Sequence, residues 1–287
     1  MQFTSIVIAG GALKVISIIG CIKYLEEYDK ISYIRNYVGT SAGSIMCLFM
    51  ILGYNYTEII DFFVHNLSDK NVNTFNPDEC LELFNQYGLN SGTNIELLIK
   101  KILKKKHNDE NITFLDLAKK TGKNLVVCVS NLSKEVPEYF NVDTMPNLPI
   151  ATAIKVSCSI PILLTPISIN DNIYVDGGLY NNFPIDYFKN NMLKDILGIN
   201  IKLKSYQKTD TFLNYIMFML NSLIIKANNL HTTINDNDKN IITLEFDDDV
   251  WFSFTELSIK FPSDKWVSYI NLGYSKIKDV LHDNLST

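Results

Sequence analysis

At 287 residues, 47% of them hydrophobic and 20% charged, the chain is long enough to bury one large core and has the balance of an ordinary globular protein. A net charge of −5 offers no broad basic field and excludes nucleic acid as the main partner. The five cysteines (Cys21, Cys47, Cys80, Cys128 and Cys158) include no C-x-x-C pair and no zinc spacing, so reduced thiols, a cytoplasmic-type compartment and no metal site are expected.

Residues 4–9 begin a strand at once, with no basic region or cleavage-like site, so no signal peptide is expected. Ile6, Val7 and Ile8 form its buried centre, and Gly10-Gly11 end it. Ile18, Ile19, Ile22 and Leu25 recur at helical spacing and predict an amphipathic helix over 16–28. A second strand, 34–38, leads into Gly39-Thr40-Ser41-Ala42-Gly43. An almost wholly apolar helix follows over 44–52, stopped by Gly53; having no polar face, it must be buried. Region 55–120 reads as helical and more polar. Its cluster of Lys100, Lys101, Lys104, Lys105, Lys106 and His107 reads either as a solvated helix face or as a patch for anionic lipid head groups.

Further strands are predicted over 125–129, 167–169, 173–175, 196–201 and 241–246, with a hairpin around Asn170-Asp171-Asn172. Helices over 213–225 and 262–281 follow, the last with Ser263 or Asp264 as its N-cap. The apolar stretch 212–225 is interrupted by Asn214, Asn221 and Ser222 and is too short to span a bilayer. This alternation of strands and helices, without repeats or long linkers, predicts an α/β domain with a mostly parallel sheet, one domain over 1–287.

Gly39-Thr40-Ser41-Ala42-Gly43 fits G-x-S-x-G at a strand-to-helix junction. There a nucleophilic serine sits at the apex of a strained turn, its glycines let strand and helix pass closely, and the helix N-terminus favours a developing oxyanion. Ser41 then needs a base. None of His65, His107, His231 and His282 carries a motif around it. Val175-Asp176-Gly177-Gly178 instead places a carboxylate at the exit of a predicted strand, although Asp-Gly is also a common turn. Gly10-Gly11-Ala12-Leu13-Lys14, between strand and helix, reads as an anion-binding nest. It lacks dinucleotide and Walker spacings, so an oxyanion hole fits it better than a phosphate loop.

These three pieces, in this order, resemble the patatin-like phospholipase family, which carries a glycine-rich oxyanion loop, then G-x-S-x-G, then D-G-G/A. The flanks are similar too: residues 6–14, the segment 153–161 ending Ser157-Cys158-Ser159-Ile160-Pro161, and residues 176–184. Two positions depart from the pattern: Ala12 stands where a third glycine is usual, and Val15 where glycine follows the basic residue.

The resemblance implies a three-layer α/β/α fold and a Ser-Asp dyad of Ser41 and Asp176. It further implies an oxyanion hole at Gly10, Gly11 and Ala12 with Lys14 adding charge, and no cofactor or calcium. The implied activity is hydrolysis of phospholipids or other fatty acyl esters through an acyl-enzyme, with peripheral membrane contact. The 212–225 helix and the run from Val250 to Phe254 are apolar enough to line an acyl site, to meet a membrane or to pack in the core. The competing readings are a histidine-triad esterase, a lipid-binding protein that keeps the fold without the chemistry, and an acyltransferase using the same residues.

Overall fold

The computed structural model describes residues 2–67, 86–188, 195–202, 212–231, 240–246 and 263–283. Strand β1 (Ser5–Ile8) is buried at every position. Successive strand residues face opposite sides of a sheet, so a strand buried throughout has both faces covered. Helix α1 (Ile16–Glu27) carries the chain from β1 to β2 (Asn36–Thr40), which lies parallel beside it. Strand β2 starts two residues later than predicted, because Ile34 N–H closes a turn onto Ile31 C=O. It also runs further, through Gly39 and Thr40.

Helix α2 (Ala42–Ile51) begins immediately after Ser41, two residues earlier than predicted, and all its described positions from Gly43 onward are buried. Region 55–120 supplies α3 (Tyr56–Leu67), α4 (Thr93–His107) and α5 (Phe114–Thr121). Three of the five lysines of α4 pair with carboxylates: Lys100 with Glu96, Lys106 with Glu58 and Lys104 with Glu110. Strand β3 (Gly88–Asn90) pairs in parallel with β6 (Ile162–Leu164), apart from the main sheet.

The main sheet continues with β4 (Asn124–Asn131), β5 (Val136–Phe140), β7 (Ile167–Ile169), β8 (Asn172–Asp176), β9 (Ile196–Ile201) and β10 (Ile241–Leu244). Its order is β10-β9-β1-β2-β4-β8-β7. The first five strands are parallel; β8, β7 and β5 add antiparallel pairs, so the expected parallel core ends in a mixed flank. The hairpin β7–β8 turns at Asn170 and Asp171, both at positive φ (48° and 61°), as a two-residue primed turn requires.

Strand β4 acts as the ruler for the site. Val127 and Cys128 pair with both β2 and β5, so those strands hold opposite edges of β4. Val129, Ser130 and Asn131 pair with both β8 and β5, so β8 lies on the same edge as β2. Strand β2 ends with Thr40 opposite Cys128, and β8 ends with Asp176 opposite the next residue, Val129. The C-terminal ends of two strands thus meet head to head on one edge of β4.

Helix α6 (Ile150–Ser157) packs against β4 and β8. Helix α7 (Phe212–His231) reaches further than its apolar run predicted and packs against the turn after Asp176. Helix α8 (Ser263–Asp283) crosses α1 closely: a Cβ on Gly20 would stand 1.9 Å from Ile270 O, and one on Gly273 1.8 Å from Ser17 O. Both glycines are therefore needed for the contact. Cys21, Cys47, Cys128 and Cys158 are buried free thiols. Cys80, the run from Val250 to Phe254 and the capping side chain at Ser263 or Asp264 lie outside the described residues and side chains. Among the described residues no helix is long and apolar enough to cross a membrane.

Candidate active site

Ser41 is the single residue between β2 and α2. Its φ of 51° and ψ of −130° are torsions that residues with a Cβ rarely adopt. The two glycines of the motif make the turn sterically feasible. A Cβ on Gly39 would meet the Ser44 backbone at 2.6 Å, and one on Gly43 would meet Ala9 O at 2.5 Å and Ile8 O at 2.6 Å. Hydrogen bonds then hold the strained residue. Ser41 N–H donates to Ser157 Oγ (2.7 Å), and the Ser157 hydroxyl donates to Cys128 C=O (2.6 Å). Ser41 C=O accepts from Ser44 N–H (2.9 Å) and Ser44 Oγ (2.5 Å).

The Ser41 hydroxyl donates to Asp176 Oδ2 at 2.6 Å, and Asp176 Oδ1 accepts Gly178 N–H at 2.7 Å. Asp176 is 6% exposed. Burial raises its pKa from 3.8 to about 6, against the opposing hydrogen bonds from Ser41 and Gly178. A carboxylate poised there is ionised at neutral pH yet more basic than one in water. The Cys158 thiol lies beside this pair; burial first, then the Asp176 charge, holds it far above the usual thiol range. His65 Nδ1 bonds instead to Asp61 C=O within its own helix.

The glycine loop differs from expectation at two residues. Gly10 N–H donates to Asn182 C=O (3.1 Å) and so is not left for an oxyanion. Asn182 Nδ2 donates in turn to Gly10 C=O (3.0 Å). The N–H groups of Gly11 and Ala12 meet no acceptor among the described residues. Lys14 is also displaced from its expected role. Its Nζ lies 5.2 Å from the centre of the ring of Phe246, two residues past the end of β10, a strand three places along the sheet from β2. Ala12 takes φ 46°, so the loop keeps a left-handed turn at the position where glycine is usual, and the Cβ carries the strain. Val15 sits at φ −60° and ψ −14°, torsions a β-branched residue accepts.

The structure thus brings Ser41 and Asp176 into contact and sets Gly10 beside Ser41, with Gly11 and Ala12 next in the chain, while the Lys14 side chain turns to Phe246. Ser157 and Asn182 carry no motif that marks a role, although both lie in segments with the family likeness. Their partners are 116 and 172 residues away in the chain, beyond any local pattern.

The family model for patatin-like phospholipase matches residues 6–189. Over 186 residues the chain is 36% identical to "Probable lipid hydrolase 463L" of Invertebrate iridescent virus 6, covering 64% of this chain and 62% of that protein. The match thus spans less than two thirds of the relative's own length. Among solved structures, VipD from Legionella pneumophila is similar with a TM-score of 0.61 at 16% identity, over 99% of this chain and 67% of that one. ExoU, in its complex with SpcU from Pseudomonas aeruginosa, gives 0.56 at 16% identity, over 99% of this chain and 52% of that one. Identities this low speak for a shared fold alone.

Proposed function

The chain belongs to the patatin-like phospholipase family, and from that premise we propose that residues 1–287 act as one lipid acyl hydrolase domain in which Ser41 is the nucleophile and Asp176 its base. The observation that carries the reading is the 2.6 Å hydrogen bond from Ser41 Oγ to a buried carboxylate, made at a strained strand-to-helix turn. Asp176 Oδ2 takes the hydroxyl proton as Ser41 Oγ attacks the ester carbonyl. The N–H groups of Gly11 and Ala12, with the N-terminus of α2 behind Ser41, stabilise the oxyanion. The tetrahedral intermediate collapses, the leaving alcohol takes the proton from Asp176, and an acyl-enzyme remains on Ser41. Asp176 then takes a proton from a water as that water attacks the acyl carbonyl; the Ser41 Oγ–acyl bond breaks, Asp176 returns the proton to Ser41 Oγ, and the fatty acid leaves.

Phospholipids or other fatty acyl esters are the substrates in this reading. Family membership supports this, and so does the surface of α7. Tyr215, Met219 and Leu223 recur every four residues and are 47%, 41% and 62% exposed, while Asn221, on the opposite side of the helix, is 1% exposed. This inverts the usual amphipathic pattern on a helix that packs against the Gly177–Leu179 turn following Asp176. A peripheral encounter with a lipid aggregate through that face brings substrate to the site.

The test is hydrolysis of a phospholipid and of a soluble short-chain nitrophenyl ester by wild type, Ser41→Ala and Asp176→Asn. Loss of both activities in both variants is expected; full activity in either overturns the dyad. Lipid binding without hydrolysis by the wild type favours the lipid-binding reading.

A further inference from the structure

Gly10 C=O and Gly11 N–H belong to one peptide unit. A trans peptide is planar, so its C=O and N–H point in opposite directions. Asn182 Nδ2 holds the Gly10 carbonyl at 3.0 Å, and the same hydrogen bond therefore sets the direction in which Gly11 N–H points. The Asn182 backbone carbonyl fixes the other side of Gly10 by accepting its N–H at 3.1 Å. Gly10 is gripped on both sides by one residue, which is itself 8% exposed.

The fit is close. A Cβ built on Gly10 would stand 2.6 Å from Asn182 Oδ1 and 3.1 Å from Ser41 Cβ, and one on Gly178 would stand 3.0 Å from Asn182 Oδ1. The Asn182 side chain is thus wedged between the glycine loop and the segment that bonds Asp176. Gly178 N–H holds Asp176 Oδ1 on one side of the wedge, and the Gly10–Gly11 peptide lies on the other.

We propose that Asn182 is a positioning residue for the oxyanion hole: its carboxamide locks the Gly10–Gly11 peptide plane so that Gly11 N–H faces the developing oxyanion, and it registers that donor against Asp176. This rests on the dyad reading above and deepens it. In this role Asn182 acts through Gly11. A carboxamide suits the place because it supplies a donor to a carbonyl between two glycines that leave room for it. Removing the donor leaves the backbone clamp in place and frees the peptide to tilt, so the loss falls on the transition state, where the oxyanion exists.

The experiment compares wild type, Asn182→Ala and Asn182→Asp on a soluble short-chain nitrophenyl ester and measures the affinity of each for a trifluoromethyl ketone, which mimics the tetrahedral oxyanion. Asp retains the size of Asn but turns a carboxylate oxygen toward Gly10 C=O. For Asn182→Ala, kcat is expected to fall about tenfold to a hundredfold, less than complete removal of an oxyanion donor. KM moves less than about threefold, and ketone affinity weakens by the same factor as kcat/KM. Asn182→Asp is expected to lose at least as much. The pH midpoint of kcat/KM for Asn182→Ala stays at the wild-type value, since Asp176 keeps its burial and both its hydrogen bonds. Unchanged kcat in both folded variants, or a loss confined to KM, overturns the proposal. If Asn182→Ala does not fold, Asn182→Asp, which preserves the packing, decides by the same two readouts. Ser41→Ala is run beside them. Activity surviving in Ser41→Ala defeats the dyad itself; a dead Ser41→Ala beside a fully active Asn182→Ala defeats only the clamp.

Discussion

Replacing Asp176 with Asn is expected to abolish hydrolysis and at the same time to stabilise the fold at neutral pH. In the native protein burial holds this carboxyl at a pKa of about 6, against 3.8 for the unperturbed group. Below pH 3.8 it is protonated in both the folded and the unfolded chain and contributes no charge penalty. As pH rises from about 4 to about 6, the unfolded chain releases its proton before the folded one does, so the folded state binds more protons and stability falls. Above about 6 both forms are ionised and the full cost of the buried charge is present. A shift of about two units corresponds to roughly 3 kcal/mol. Asn has the same size, retains an oxygen for Gly178 N–H and can donate to Ser41 Oγ, so most hydrogen bonds survive while the charge is gone. The stability difference between variant and wild type should therefore grow from near zero at about pH 4 to on the order of 2–3 kcal/mol at about pH 8, a shift in melting temperature of roughly 5 °C. Urea unfolding at a series of pH values, followed by circular dichroism, measures it. A variant that is less stable than wild type at pH 8, or a difference that does not change with pH, refutes the reasoning.

Other outcomes follow from the same geometry. The wild-type pH–rate profile for kcat/KM should rise through about pH 6 and then level off, because only the ionised Asp176 accepts the Ser41 proton; activity that climbs as pH falls below 6 contradicts an Asp176 base. Gly43→Ala places a methyl 2.5 Å from Ala9 O and 2.6 Å from Ile8 O, backbone atoms at the C-terminal end of β1; a loss of about 3 kcal/mol or failure to fold is expected, and a thermal melt within about 1 kcal/mol of wild type is the contrary result. Ala12→Gly, at φ 46°, should escape the usual loss of about 0.5–1 kcal/mol for glycine and hold or raise the urea midpoint; a fall of 1 kcal/mol or more argues against strain there. Leu223→Asp on α7 should weaken co-sedimentation with phospholipid vesicles while activity on a soluble ester is retained; unchanged pelleting removes that face from lipid contact.

Much of the scaffold was legible where local chemistry decides the conformation. β1 and β9 are mostly apolar, interrupted only by Ser5 and Asn200, as suits strands covered on both faces, and the predicted bounds of β9 are those observed. The turn at Asn170 and Asp171 was readable because these residue types tolerate positive φ. The elbow was readable because close passage of β1, β2 and α2 demands glycine at 39 and 43. β5 was not: it holds Pro137 and Glu138, shows no clean alternation, and exists because β4 offers it an edge. The pair β3–β6 consists of two three-residue strands far apart in the chain, with no periodicity to detect. At the site, Ser41 and Asp176 were readable as motifs, but the head-to-head register on β4 that brings them together is a property of the sheet. The corrections at Gly10 and Lys14 have the same origin. A glycine-rich loop announces that backbone N–H groups are available, while the Asn182 carbonyl that takes one of them, and the Phe246 ring that receives the lysine, come from segments far away in the chain.

The central claim is an activated Ser41, and covalent trapping tests it most directly. The chain is treated with a fluorophosphonate, digested and mapped by mass spectrometry. One phosphonylated residue, Ser41, is expected, with labelling lost in Ser41→Ala and strongly slowed in Asp176→Asn. Labelling at another residue, or labelling of Asp176→Asn at the wild-type rate, would contradict it.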